Sequence, residues 1–145
     1  MMRYTCLLHT VFTGTMIAGT LSKCVNKNAQ VYGTYFGWMR LLPMKLKSDS
    51  HEKFPLVFKR VGVPPETIMD NYKEKSSSEF CKKPRETNWH QKTTKPHWTW
   101  STAAETNIRE LKRGCSCNMI RTQSPKHLWD HCYEFEARIC SCTAH

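Results

Sequence analysis

The sequence has no acidic residue in its first third. Residues 1–48 contain neither aspartate nor glutamate, and the first acid is Asp49. The same stretch holds six lysines and arginines, so its net charge is +6. Any site that needs carboxylates, such as a site for a hard divalent cation, must therefore take them from the later part of the chain.

The chain also lacks a long apolar segment. No run approaches the roughly 20 apolar residues that a membrane-spanning helix needs, so we expect no membrane partner. Residues 1–20 form a partly apolar run, but His9 and five threonines interrupt it, which is not typical of a secretory signal peptide. We therefore expect an intracellular protein, with the nucleus as one candidate compartment, and not a secreted one.

Two catalytic signatures and any internal repeat are missing as well. The sequence has no glycine-rich phosphate loop, no serine–histidine–aspartate constellation and no internal repeat. Positive charge is abundant, because 22 lysines and arginines stand against 12 acids and give a net charge of +10 in 145 residues. With 39% apolar residues, we expect one folded domain. Its charge favours a polyanionic partner, usually nucleic acid, and a merely soluble basic surface is the alternative.

The eight cysteines allow another interpretation. Cys115 with Cys117, and Cys140 with Cys142, form two CxC pairs, whereas a structural zinc site usually spaces its paired ligands by two to four residues. The first pair also lies in a helical pattern, where residues i and i+2 point apart. We interpret the cysteines as packing residues or incidental thiols, and predict that Cys115 and Cys132 pack on facing helices. A small secreted or zinc-stapled cysteine-rich protein without nucleic-acid function is the alternative.

Apolar periodicity predicts a mixed order of strands and helices over the first two thirds of the chain. Ser48 is the expected N-cap of the first helix, and Pro55 lies inside it. In chain order the expected elements are a strand over residues 4–12, a hairpin or meander over 29–44, a helix over 48–62, a strand over 65–70, a polar loop with one candidate helix over 71–88, and a strand over 89–94.

Two helices are predicted for the last third. The first begins near Ser101 and buries one stripe at helical spacing, made of Ala104, Ile108, Leu111, Cys115 and Met119. The second follows Ser124, which we expect to cap it, with Pro125 at its first helical position. Its expected inner face consists of Leu128, Cys132, Phe135 and Ile139.

Two carboxylates stand out by their positions. Asp70 ends a predicted strand, and Glu105 lies at the start of a predicted helix, followed by Arg109 and Lys112 one and two turns later. Acids at such places can hold hard divalent cations through oxygen ligands, and two such ions can catalyse phosphodiester chemistry. The alternative is that Glu105 and Arg109 are an ordinary surface pair at i, i+4.

Three segments resemble the catalytic core of copia-type retrotransposon integrases, which are DDE-type enzymes. They read "VGVPPETIMDNYKE", "PHWTWSTAAETNIRELKRG" and "SPKHLWDHCYEFEARI". The resemblance implies an α/β, ribonuclease H-like fold, with a mixed five-stranded sheet and helices on both faces. It implies DNA integration by metal-dependent strand transfer as the ancestral function. It also implies a DNA partner and a homo-oligomer.

The resemblance assigns roles to individual residues. The family's metal-binding triad is Asp, Asp and Glu, and Asp70 and Glu105 match its second and third members. These two would bind Mg²⁺ or Mn²⁺. The implied DNA contacts are Lys95, Arg109, Lys112 and Arg113.

One departure concerns the first member of the triad. In the family it lies in the first strand, before a threonine and an aromatic residue, and here "LLHTVF" has His9 at that place. An imidazole nitrogen is a poor ligand for Mg²⁺. We therefore expect a degenerate copy that binds the metal weakly and has little or no catalytic activity but retains DNA binding. We expect residues 1–145 to form one truncated core domain, without the family's N-terminal zinc domain or a C-terminal domain. A decayed reading frame that does not fold is a third interpretation.

Overall fold

The structure is a computed structural model, and it describes residues 9–70, 90–94 and 99–143 of the chain. The described strands are β1 (Val11–Ile17), β2 (Asn28–Gly33), β3 (Met39–Met44), β4 (Glu66–Asp70) and β5 (His90–Thr94). The described α-helices are α1 (Ser50–Val61), α2 (Thr99–Thr122) and α3 (Trp129–Thr143). Two short 3-10 helices, Lys47–Asp49 and Lys126–Leu128, precede α1 and α3.

The strands form one mixed sheet in the order β3-β2-β1-β4-β5. β1, β2 and β3 are an antiparallel meander, and β4 and β5 run parallel to β1. The turn between β2 and β3 includes Gly37, whose φ of 89° is a conformation that glycine adopts without strain. The predicted meander over residues 29–44 and the mixed α/β order are confirmed.

Alternate residues of the strands enter two separate cores, because successive side chains of a strand point to opposite faces. One core joins α1 to the sheet and contains Val11, Tyr32, Val57, Val61 and Met69. The other core joins α2 and α3 to the opposite set of strand residues and contains Met16, Val31, Leu41, Leu111, Trp129 and Ala137. α1 therefore covers one face of the sheet, and α2 and α3 cover the other.

The first strand begins later than the sequence predicts. The expectation was residues 4–12, whereas β1 spans Val11–Ile17, and residues 1–8 lie outside the described part of the chain. β1 is the central strand, paired with β2 on one side and β4 on the other. Thr13, Gly14 and Thr15 weaken the apolar pattern of this strand, so its position is determined by pairing on both sides and not by its own sequence.

Helix α1 is predicted over residues 48–62 and spans Ser50–Val61, and its N-cap is Asp49 rather than Ser48. The Asp49 carboxylate accepts a hydrogen bond from the backbone N–H of Leu46 at 3.1 Å, which closes the preceding 3-10 turn. The helix continues through Pro55 and ends at Gly62, which has a φ of 88°. The Gly62 N–H donates to the carbonyl of Phe58 at 2.7 Å.

Helix α2 contains the predicted apolar stripe and begins two residues earlier than expected, at Thr99. Leu111 and Cys115 are fully buried, and Ile108 and Met119 pack against the same core. Among the described helices, none combines the length and apolar content needed to cross a bilayer.

The predicted cap of the last helix is wrong, and two of the four residues of its predicted inner face are exposed. Pro125, not Ser124, is the N-cap of the short 3-10 helix before α3, and the Ser124 hydroxyl lies 2.7 Å from the Thr122 hydroxyl. Phe135 and Ile139 are exposed, at 59% and 40%.

The side of α3 that faces the sheet contains Trp129, Tyr133 and Ala137. The Ser141 hydroxyl accepts the N–H of Met39 at 2.9 Å and donates to its carbonyl at 2.6 Å. These two bonds attach α3 to the edge strand β3. A one-residue shift of the inner face is a rotation of about 100° about the helix axis, which is why the predicted stripe points partly to solvent.

Candidate functional site

The centre of the sheet places β1 beside the strand that ends at Asp70. β1 and β4 pair in parallel, with Val11 opposite Thr67, Phe12 opposite Ile68 and Thr13 opposite Met69. The next step of this register brings position 14 opposite position 70. Met69 belongs to the α1 core, so positions 70 and 14 both fall on the opposite face, which α2 covers.

Helix α2 lies directly on β1 and β2 at two glycines. An ideal Cβ at Gly14 would be 3.1 Å from Ile108 Cδ1, and one at Gly33 would be 2.6 Å from Asn107 Nδ2. Ile108 is three residues after Glu105, so Glu105 lies one turn closer to the start of α2. The absence of side chains at the two glycines permits this close approach of helix and sheet.

The two predicted acidic residues belong to the strand β4 and to the helix α2, which packs on the sheet. Asp70 is the last residue of β4, and the structure describes its backbone. Glu105 is exposed in the second turn of α2, the helix that packs on that face. The prediction that a strand over residues 65–70 delivers Asp70 at its end is confirmed, whereas its metal-binding role stays a prediction.

His9 lies away from this position. It precedes β1 by two residues, and its ring packs against Phe36 with a centroid separation of 4.4 Å and an interplanar angle of 42°. Five residues separate it from Gly14, or roughly 17 Å along an extended chain. The register therefore brings Gly14, not His9, beside Asp70. The assignment of His9 to the place of the first Asp stays a prediction.

Three basic side chains form an exposed stripe on α2, which we call the α2 basic stripe: Arg109, Lys112 and Arg113. Successive residues of an α-helix are rotated by about 100° about its axis. The three basic residues and Glu105 therefore fall within one sector of about 100°, next to the buried face of α2. All four are exposed, and among the described side chains no ion pair joins Glu105 to the stripe. The stripe therefore presents its charge to solvent. The fourth predicted DNA contact, Lys95, lies outside the described residues.

Comparison of the whole fold with solved structures gives consistent matches. The chain superposes on the HTLV-2 integrase catalytic core domain, solved in complex with magnesium in a dimeric form, with a TM-score of 0.71. The sequence identity is 14%, and the match covers 93% of this chain and 87% of that one. The core domain of BIV integrase gives 0.70 and 9% identity over 89% and 80% of the two chains. The chain has the fold of a retroviral integrase catalytic core.

The integrase-core fold also occurs within a longer matched protein. In the simian T-cell lymphotropic virus intasome, solved with PP2A regulatory subunit B56 gamma, the matched chain gives a TM-score of 0.73 and 18% identity. The match covers 90% of this chain and 48% of that one, so this chain spans about half of its length. No protein-family profile and no curated protein sequence matches the chain.

Within residues 9–70, 90–94 and 99–143, the described residues near Asp70 do not complete a two-metal site. Two-metal phosphodiester chemistry uses carboxylates that clamp both ions, and Mg²⁺ requires oxygen ligands in near-octahedral geometry. Asp70 and Glu105 can supply two carboxylates, but Gly14, the position beside Asp70, supplies no ligand.

Of the six described cysteines, Cys115, Cys132 and Cys140 are buried or half-buried, whereas the other three are exposed. Cys115 of α2 is buried, and the Cys132 thiol of α3 donates to its carbonyl at 3.7 Å. The predicted contact between facing helices is confirmed, with Cys132 only half-buried. Burial, followed by the neighbouring Cys132 and Glu136, raises the pKa of Cys115 well above its ordinary value, so its thiol stays protonated and unreactive.

Proposed function

We propose that this chain is an integrase-core-like domain, related to retrotransposon DNA integration, that binds DNA without sequence specificity and is impaired in strand transfer. The observation that carries the proposal is the α2 basic stripe, exposed on a helix that packs over the sheet centre of an integrase-core fold. The resemblance of "STAAETNIRELKRG" to the DNA-contacting helix of copia-type integrases supports the same assignment.

DNA binding follows from the charge and accessibility of the stripe. Arg109, Lys112 and Arg113 project from a single helical surface, and the whole chain has a net charge of +10. Basic side chains on a helix face neutralise backbone phosphates and release condensed counterions, which makes the affinity strongly dependent on salt. Phosphate contacts do not distinguish base sequence. The proposed binding is therefore steeply salt-dependent and largely independent of sequence.

Impaired catalysis follows from the β1–β4 register. Gly14 occupies the position beside Asp70, and no acid occurs anywhere in residues 1–48. In this proposal Asp70 and Glu105 bind one Mg²⁺ or Mn²⁺ weakly, and strand transfer is not detectable. His9, which lies before β1, does not contribute a ligand.

The test is the salt dependence of binding to a short fluorescent duplex, followed by anisotropy. The double variant Arg109→Ala/Lys112→Ala should bind more weakly. Each lost phosphate contact lowers the slope of log K against log salt by about 0.9, so the slope should become shallower by about 1.8. The matched control is Lys59→Ala/Arg60→Ala, which removes the same charge from exposed positions on α1, across the sheet.

The comparison of the two double variants decides between a defined surface and net charge alone. If the stripe meets the phosphates, the control slope should stay close to that of the parent protein. If both double variants had equally reduced slopes, binding would depend on the overall charge and not on α2. An unchanged slope in the stripe variant would show that the stripe does not contact phosphates.

A further inference from the structure

A second group of metal-ligating side chains lies between the loop after β1 and the start of α3. The Cys24 thiol, the Asp130 carboxylate and the His131 imidazole have ligand atoms within 4.8 Å of one another. Cys24 and His131 are exposed, whereas Asp130 is only 2% exposed. The loop and the helix are more than 100 residues apart in the chain, so the fold alone brings these groups together.

The buried carboxylate is held as an anion. Its Oδ2 accepts a hydrogen bond from the Asn26 side-chain amide at 3.2 Å, and its Oδ1 accepts the backbone N–H of His131 at 3.0 Å. Burial raises the pKa of Asp130, but hydrogen bonds from Ser22, Asn26 and the His131 backbone outweigh it and hold the pKa below its ordinary value. These three hydrogen bonds leave about one acceptor position of the carboxylate for a metal ion, since a carboxylate can accept about four bonds.

The loop that carries Cys24 is held in a defined conformation. The Ser22 hydroxyl accepts the backbone N–H of Cys24 at 3.2 Å, and the Lys23 N–H donates to the carbonyl of His127 at 2.8 Å. Val25 has a φ of 63°, which is unfavourable for a β-branched residue and costs on the order of 1–3 kcal/mol. The surrounding hydrogen bonds keep the loop in this conformation and keep Cys24 near the start of α3.

We propose that Cys24, Asp130 and His131 form a site for a divalent cation of the Zn²⁺ type. One thiolate, one carboxylate and one imidazole are ligands of a borderline-soft ion, whereas Mg²⁺ prefers oxygen alone. Ligand atoms at about 2.0–2.3 Å in tetrahedral geometry are roughly 3.5 Å apart, so the exposed side chains of Cys24 and His131 need to close by about 1 Å. Water completes the fourth position.

The consequence is a link between two distant segments. A bound ion would join the β1–β2 loop to the first turn of α3, and its binding free energy would then stabilise the fold. The site uses neither Asp70 nor Glu105, so it does not depend on the proposed DNA-related function.

The test is a competitive titration of the reduced, metal-free full chain with Zn²⁺ against a chromogenic chelator. The parent protein should bind one equivalent, and Cys24→Ser and His131→Gln should each weaken that equivalent by at least roughly 10- to 100-fold, since even groups that only support a ligand have effects of this size. Cys142→Ser and His127→Gln, which change exposed residues of the same types outside the cluster, should leave the affinity unchanged. Far-UV circular dichroism should show the same fold in all variants.

Cobalt provides a second readout that reports the ligand directly. Co²⁺ bound to the parent protein should show a thiolate-to-cobalt charge-transfer band, which Cys24→Ser abolishes and Cys142→Ser leaves in place. The proposal is overturned if Cys24→Ser binds Zn²⁺ as the parent does, because other cysteines would then hold the ion. It is also overturned if folded parent protein binds no Zn²⁺, or if bound Co²⁺ lacks the charge-transfer band.

Discussion

Replacing Gly14 by aspartate tests whether the β1 position beside Asp70 is the missing carboxylate position. An ideal Cβ there lies 3.1 Å from Ile108 Cδ1, so the tip of the isoleucine must move by a few tenths of an ångström. Overpacking destabilises by about 1–3 kcal/mol, and removing a glycine from a strand returns about 0.5–1 kcal/mol. We expect Gly14→Asp to lower the free energy of unfolding by about 1–2 kcal/mol without metal, with repulsion from Asp70 adding to it.

Metal should reverse this loss of stability. An ion that binds only the folded chain stabilises it by about 2.7 kcal/mol when its concentration is 100 times the Kd. In a chain of this size 1 kcal/mol changes the Tm by about 2–4 °C, so saturating Mn²⁺ should raise the Tm of Gly14→Asp by roughly 5–10 °C. The parent protein, with two carboxylates, should respond much less. Differential scanning fluorimetry across a Mn²⁺ series measures both.

Three further variants make this experiment decisive. Gly19→Asp adds the same residue where an ideal Cβ meets nothing within 4 Å, and should give no metal response. Gly14→Asp combined with Glu105→Gln should lose the response, because a third carboxylate is then missing again. If His9→Asp gains the response and Gly14→Asp does not, His9 occupies the place of the family's first Asp, and the inference from the β1–β4 register is wrong.

The elements that sequence patterns predict well are those whose periodicity is local. Alternation locates the β2–β3 meander, and helical spacing locates the stripe of Leu111 and Cys115, because these patterns result from burial of the same residues. The strand that ends at Asp70 is also predicted from a local apolar pattern, because its buried residues are close together in the sequence. The α2 basic stripe follows directly, since a buried face determines which residues of a helix remain exposed.

The features that sequence patterns miss depend on contacts between distant segments. β1 is a strand because β2 and β4 pair with it, and its own residues include Gly14 and two threonines. The orientation of α3 depends on Trp129 and on the bonds of Ser141 to the edge strand, so local periodicity predicts the wrong face. Cys24 meets Asp130 only in the folded chain, and no local pattern predicts that cluster.

Two predictions concern packing, and each is measured by urea unfolding. Pro55 lies within α1, where proline costs about 3 kcal/mol relative to alanine and returns up to about 1 kcal/mol by stiffening the unfolded chain. Pro55→Ala should therefore raise the free energy of unfolding by roughly 2 kcal/mol, and an unchanged value would mean that α1 already relieves the strain. Cys115→Ala should lower the free energy of unfolding by about 1 kcal/mol, whereas Cys117→Ala, on the exposed side of the same helix, should change it little. Burial, followed by the neighbouring Cys132, raises the pKa of Cys115 above its ordinary value of 9.0. Above that pH the thiol ionises in the unfolded chain but not in the folded one, so the stability that Cys115 contributes is present below pH 9 and is lost as the pH rises. The parent protein should therefore lose more stability than Cys115→Ala between about pH 8 and about pH 10. Equal losses in the two proteins would show that this thiol is not shielded from solvent, and would contradict the packing of α2 against α3 at this position.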